Sequence, residues 1–365
     1  MLLQMFNFGV IIKSVYYGGE IMETKELLKC LVDPVSIAGS EQSVGEVIKK
    51  LLAENGCENI RTDRMGNIIG EYKCGKENAP RLMLEAHMDE IGLMVSAVSD
   101  EGSLLFVPIG GFDQKVLPGS EVTVHSESGD IYGIIGAKPP HLITDRSKAV
   151  KMQDMSVDIG LSKEETLKRV KIGDLISFNT YFTLLEGAVA GRCFDDRAGV
   201  CAIIKALEYV KALKIECDII CAITVQEELG MRGARVICES AKCDAAICID
   251  AGFGTSANSS EGFDLGSGVV VSVGPNLHPK LNKIIFDAAS EYKIDITTDV
   301  VNGNTGTNAW EVQVAGLGVP VALLSFPLRY MHSTYEVIDI TDIEAIAQLC
   351  AYTALKFKGG EQLCY

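Results

Sequence analysis

Two runs in this chain, Ile219 to Val225 and Ala245 to Ile249, are apolar at nearly every position, and a further short apolar strand pattern spans Arg81 to Glu85. A strand with one wet face alternates apolar and polar residues, so continuous runs belong to strands buried on both faces. Helical patterns lie between and around them. Thr24 can cap Lys25 to Leu31, Ser43 precedes an amphipathic run from Val44 to Glu54, and Asp195 opens a helix through Leu213. Further helices fit Lys280 to Tyr292 and about Asp342 to Phe357, the last started by Thr341, with another strand at Val319 to Ser325. The expected fold is α/β, with a mostly parallel central sheet covered by helices on both faces.

In such sheets ligand sites lie beyond the carboxyl ends of the strands. His87, Glu227, Glu228 and Asp250 fall at those ends, so one rim would collect them. Asp195 and His332, in short motifs of their own, bring the possible metal ligands to five: His87, Asp195, Glu228, Asp250 and His332. Second acids stand close by, Asp89 after His87, Asp196 after Asp195 and Glu227 before Glu228. Two divalent cations sharing one carboxylate need about five side-chain ligands and a separate general base, which is this inventory. Plainer explanations exist for each part. A lone strand-end histidine is commonly a satisfied core residue, Asp195-Asp196 at a helix start can serve as caps, and Asp250 and His332 fit turns. Glu227-Glu228 is harder to dismiss, because adjacent carboxylates closing an apolar strand repel unless a cation or shared proton compensates them. Together the five point toward metal-dependent hydrolysis.

From about Leu93 to Glu186 the texture changes to β-branched segments broken by glycines, among them Leu104 to Pro108, Glu121 to His125, Ile131 to Ile135 and Leu175 to Phe178. Asn59 to Arg61 and Asn67 to Tyr72 likewise read as strands, around a turn at Arg64 to Gly66. A chain of 365 residues exceeds the roughly 250 to 300 that one core supports. The expected organisation is a catalytic α/β domain from residues 22–93 and 187–365, with a small all-β, barrel-like domain inserted at 94–186. His125 and His141 in the insert lack an acid at ligand spacing and read as structural.

The net charge of -16 and pI near 4.8 exclude nucleic acid and anionic membrane surfaces as partners, since phosphate binding needs clustered Lys and Arg. Nothing approaches the ~18 uninterrupted apolar residues of a membrane span. The twelve cysteines form no framework and sit largely in apolar runs, which suits small buried hydrophobes in a reducing, cytoplasmic setting. Residues 1–21 differ from the rest. Their apolar stretch has no basic segment before it, and Gly18-Gly19-Glu20 is what a purine-rich ribosome-binding site would encode, making Met22 the expected true start.

Five segments resemble, in order, the motifs of the M42 metallo-aminopeptidases: Ala86-His87-Met88-Asp89-Glu90-Ile91-Gly92, Phe194-Asp195-Asp196-Arg197-Ala198-Gly199, Gln226-Glu227-Glu228-Leu229-Gly230, Ile249-Asp250-Ala251 and Arg329-Tyr330-Met331-His332-Ser333. Lys138-Pro139-Pro140-His141 resembles part of that family's inserted β domain. The resemblance implies a zinc-exopeptidase-like fold in which two divalent ions, Zn2+ or Co2+, share Asp195. His87 and Asp250 would complete one site, and Glu228 and His332 the other. Glu227 would be the general base on a metal-bridging water, and Asp89 would fix the His87 tautomer. The implied substrates are short peptides trimmed from their N-termini. The implied assembly is a dimer built through the inserted domain, growing to a tetrahedral dodecamer.

One departure is Gly306-Thr307-Asn308-Ala309, where the family has Gly-Thr-Asp-Ala; the lost carboxylate bears on specificity. Arg329, Asn308 and Gly306 are the expected substrate contacts. Rival readings are a β-glucan endo-hydrolase, suggested by endoglucanase descriptions within the family, and an inactive assembly protein. A glycosidase needs two carboxylates about 5 to 9.5 Å apart and no metal cage, which leaves His87 and His332 unexplained.

Overall fold

A computed structural model of the chain describes residues 22–139, 141 and 149–363. The expectations for residues 1–21, Pro140 and Cys364 lie outside them. Helices α1 (Thr24–Val32) and α2 (Gln42–Glu54) lead into strands β1 (Glu58–Thr62), β2 (Ile68–Tyr72) and β3 (Arg81–His87). The helices turn Leu27, Leu28, Leu31 and Val44, Ile48, Leu52 inward at helical spacing. Their starts differ from expectation. Thr24 lies inside α1 and donates to Glu344 Oε1 at 2.9 Å, while Ser43 lies inside α2 and donates to the Val35 carbonyl.

Strands β4 (Gly92–Val98), β5 (Leu104–Ile109), β6 (Glu121–Ser126), β7 (Gly129–Ala137) and β8 (Met155–Asp158), helix α3 (Lys163–Arg169) and strand β9 (Leu175–Phe178) follow. The six strands close a barrel in the order β4-β5-β8-β7-β6-β9. Side chains alternate across its wall, so Val122, Val124, Ile131, Ile135, Val157 and Ile176 fill a core of its own. His125 bonds Asp130 and Ser177, both at 2.8 Å, within the wall.

The chain returns through β10 (Thr183–Leu185), β11 (Ala188–Gly191), α4 (Phe194–Val210), β12 (Asp218–Thr224), α5 (Ala234–Ala241), β13 (Ala245–Phe253) and β14 (Val269–Val273). It ends with α6 (Pro279–Tyr292), β15 (Ile296–Val300), α7 (Asn308–Val312), β16 (Val321–Leu328), β17 (Glu336–Ile338) and α8 (Ile340–Lys356). Eight strands make one sheet in the order β1-β2-β12-β3-β13-β16-β14-β15. Its centre, β12-β3-β13-β16, is parallel. The pairing β14-β15 is parallel as well, while β1-β2, β2-β12 and β16-β14 are antiparallel, so the sheet is parallel in most of its pairings, as expected, and mixed at its flanks. At the β1 edge a tight turn sets the direction. Asp63 Oδ1 accepts from Met65, Gly66 and Asn67 amides at 2.8 to 3.0 Å, and so short a connection can join only antiparallel neighbours.

Leu82, Leu84, Ile219, Cys221 and Ile223 face a core shared with α1, α2, α4, α6 and α8. Met83, Ile220 and Ala222 face a second core under α5 and α7. Burial on both sides is why the runs are apolar throughout. The eleven described cysteines are free, and no described helix is long and apolar enough to cross a membrane.

Glu71 on β2 is 7% exposed and meets Lys73 at 2.9 Å, Arg61 at 3.0 Å and Arg81 at 3.3 Å. Burial pushes its carboxyl up, but the three cations outweigh it and hold the pKa at about 2, below the ordinary 4.5. A depressed carboxylate contributes stability above its unfolded pKa and loses it as pH falls toward the folded one. Glu71→Gln should therefore cost about 1 to 3 kcal/mol at pH 7, and the gap to wild type should narrow between pH 4.5 and pH 2. Urea unfolding at pH 7 and pH 3 checks this; a gap of equal size at both would remove the ionic explanation.

Candidate metal centre

Five segments meet at one point. His87 closes β3, and Nε2 of its ring lies 3.1 Å from Asp195 Oδ1. The second oxygen of Asp195 lies 3.4 Å from His332 Nε2, which is itself 3.5 Å from Glu228 Oε1. His87, Asp195 and Asp250 offer ligand atoms all within 4.8 Å of one another, and so do Asp195, Glu228 and His332. Asp195 belongs to both groups, one oxygen turned to each histidine.

The chain around Asp195 departs from the expected helix start. Asp195 (φ -77°, ψ 103°) and Asp196 (φ -119°, ψ 32°) are not helical, and the peptide bond between them is cis. Regular helix therefore begins beyond them. Asp196 alone takes the capping role, its Oδ1 accepting from the Gly199 amide at 3.2 Å while Oδ2 accepts from the His87 amide at 3.1 Å. The carboxylate of Asp195 is thereby left for the centre. Asp250 sits inside β13 rather than after it, because the β13-β16 ladder continues from Ala246 to Phe253.

Asp89 is fully buried, with its carboxylate 3.5 Å from His87 Nδ1 and its backbone carbonyl 3.2 Å from the same atom. It also accepts from the Glu227 amide at 2.9 Å and the Glu228 amide at 3.1 Å. The acid thus faces one imidazole and holds the loop bearing the two glutamates. Glu41 and Glu336 are among the buried acids that escaped the sequence reading. Glu41 accepts from the Gln226 amide at 3.2 Å, and Glu336, at the start of β17, accepts from Phe194, Asp195 and His332 amides. An acid heading the apolar Glu336-Val337-Ile338, four residues past His332, is the signal that could have found the second.

The barrel forms part of the wall. A side chain at Gly110 (φ +78°), just past β5, would place its Cβ 2.6 Å from Ile91 and 3.3 Å from Glu228 Oε2. One at Gly111 would lie 3.9 Å from His332 Nδ1.

Burial pushes the Glu227 carboxyl up to about 7, and the Asp195 and Asp89 charges add to the rise against the pull of His87. Burial raises Glu228 and Asp250 as well, with repulsion from Asp195 contributing. Asp195 goes the other way, since His332 and His87 together outweigh its burial and hold it ionised. So many acids around two imidazoles are a poor arrangement for a dry core and a good one for divalent cations, whose charge offsets the repulsion. Mixed imidazole and carboxylate donors in two groups sharing one acid fit a cation pair.

The expected substrate contacts are more scattered. Asn308 is buried, its amide donating to Glu85 Oε1 at 2.7 Å and bonding Thr224 Oγ1 at 2.9 Å. Arg329 donates to the Thr255 carbonyl. Gly306 lies on an exposed turn where its amide bonds Asn304 Oδ1 at 2.9 Å.

A family model described as M42 glutamyl aminopeptidase matches residues 66–349. The chain belongs to the M42 peptidase family. Lysyl aminopeptidase of Pyrococcus furiosus is 33% identical to it over 333 residues, covering 89% of this chain and 94% of the relative. An aminopeptidase of the archaeon Desulfurococcus kamchatkensis superposes with a TM-score of 0.85 at 31% identity, over 93% of this chain and 96% of that one. The TET1 peptidase of Pyrococcus horikoshii, which can assemble into a tetrahedron or a large octahedral shell, superposes at 0.79 with 32% identity, over 92% and 100%. The M42 protein is thus an aminopeptidase, a hydrolase of peptide bonds. The family model is named for glutamyl residues and the Pyrococcus furiosus relative for lysyl ones, of opposite charge, so kinship alone does not set specificity.

Proposed function

We propose that this M42 enzyme trims N-terminal residues from short peptides with two divalent cations, zinc or cobalt, held by His87 and Asp250, by Glu228 and His332, and by Asp195 between them. The observation that carries the reading is the single carboxylate facing both histidines at 3.1 and 3.4 Å. Bound cations supply Lewis acidity to the scissile carbonyl and acidify a water. Glu227, next in sequence to Glu228 and held by its amide to Asp89, takes a proton from the attacking water and hands it to the leaving amine. Asp89, facing His87 Nδ1, holds that ring with Nε2 toward the centre. Arg329 and Gly306 are the residues assigned to peptide contact in this reading, while Asn308, bonded to buried Glu85, would act indirectly.

A β-glucan endo-hydrolase has no use for the two imidazoles, and an inactive assembly protein has none for the crowded acids. Residues 22–93 and 187–365 form the catalytic unit and 94–186 the assembly module. The likeness to a shell-forming relative supports self-assembly, which we read as dimers that build a closed tetrahedral particle, at work in the cytoplasm.

One preparation tests the whole reading. Aminoacyl anilides should be cleaved with cobalt, zinc or manganese added, cleavage should stop with a chelator and return on reloading, and carboxymethylcellulose should stay intact. Anilide cleavage indifferent to chelation would sink the metal mechanism. Light scattering on the same sample should give a particle of many subunits, and a lone subunit would remove the assembly reading.

A further inference from the structure

We infer that Glu336 is a positioning residue that couples the two halves of the centre, setting His332 against Asp195. The inference rests on the two-cation reading. Glu336 is 3% exposed, and its carboxylate accepts from the backbone amides of three residues. Its Oε2 accepts from the amides of Phe194 at 2.7 Å and Asp195 at 3.2 Å. Its Oε1 accepts from the amide of His332 at 3.3 Å. One rigid carboxylate therefore spans the backbone of the shared ligand and the backbone of a ligand used by one half only.

The need for such a clamp is local. His87 and Asp250 are seated in the ladders of β3 and β13, whose neighbours fix them. His332 follows β16 on a turn where it and Tyr330 both adopt φ near +60°, a conformation that side-chain-bearing residues avoid. Without the bond from its amide to Oε1, that turn has less to hold it in this shape, and the imidazole loses its aim at Asp195 and Glu228. The half made by Glu228 and His332 depends on the clamp; the half made by His87 and Asp250 is secured by the sheet.

Glutamine is the informative replacement. It keeps size and one oxygen, but its amide nitrogen cannot accept a hydrogen bond, so one of the two sets of backbone donors is left without an acceptor. The full chain and its Glu336→Gln and Glu336→Ala variants are titrated with cobalt, reading bound metal per chain and the visible absorption of each ion. Wild type should bind two ions. Both variants should keep the first near its wild-type affinity, bind the second about 10- to 100-fold more weakly, and lose the absorption of the second ion. Excess cobalt should restore much of the cleavage in Glu336→Gln, which simple unfolding would not allow. Two ions at wild-type affinity in folded Glu336→Gln would overturn the inference, whatever its thermal stability. A wild-type chain that binds only one ion would overturn the two-cation reading and this inference with it.

Discussion

Glu227→Gln should cut turnover by roughly 10²- to 10⁴-fold, the range for removing a positioned general base, with two cations still bound. The substitution is nearly isosteric, and Glu227 is outside both groups of converging ligand atoms. Its amide would still donate to Asp89, so the loop should keep its place. What disappears is a carboxylate that can take a proton beside the reacting carbonyl. Single-turnover kinetics with an anilide, paired with metal analysis, separates the two effects. A variant that turns over near the wild-type rate would remove Glu227 from the proton relay, and one that turns over poorly because it has lost its metal would place Glu227 among the ligands.

Asp195→Ala should be more damaging still, because both groups lose a member at once. His87 Nε2 and His332 Nε2 each lose the oxygen that faces them. Bound metal should fall by both equivalents, and kcat/KM should drop roughly 10³-fold or more, the several kcal/mol that Lewis-acid assistance provides. Asp250→Ala offers the contrast, since it should weaken only the half built on His87. Equal metal loss in the two variants would mean that Asp195 is not shared.

Much of this was legible in the residues because burial on two faces leaves an unbroken apolar record. Ile219 to Val225 and Ala245 to Ile249 gave the central strands for that reason, and their acid-bearing ends located the rim. Sheet direction at the flanks was not legible, since an antiparallel neighbour such as β2 or β14 is as apolar as a parallel one. Local polar chemistry was read less well. Thr341 was expected to start α8, but Asp339 caps it, accepting from the Thr341 amide at 2.9 Å. Both residue types cap, and the choice depends on where the preceding strand releases the chain. Asp195 and Asp196 share an identity and diverge in role because the backbone turns between them, which sequence does not record. Asn308 was expected at the substrate and meets Glu85, 223 positions away; no local pattern announces such a pairing. Glu336 was missed for the same reason, as its worth lies in amides from two distant segments.

The glycine turn after β5 ties two parts of the molecule that could otherwise vary independently. With no room at Gly110 for a side chain, whose Cβ would fall 2.6 Å from Ile91 and 3.3 Å from Glu228 Oε2, the barrel cannot be retuned for new neighbours, or slid against the sheet, without the disturbance arriving at the reaction centre. Architecture and chemistry in this enzyme therefore share a single hinge of tolerance, only a methyl group wide.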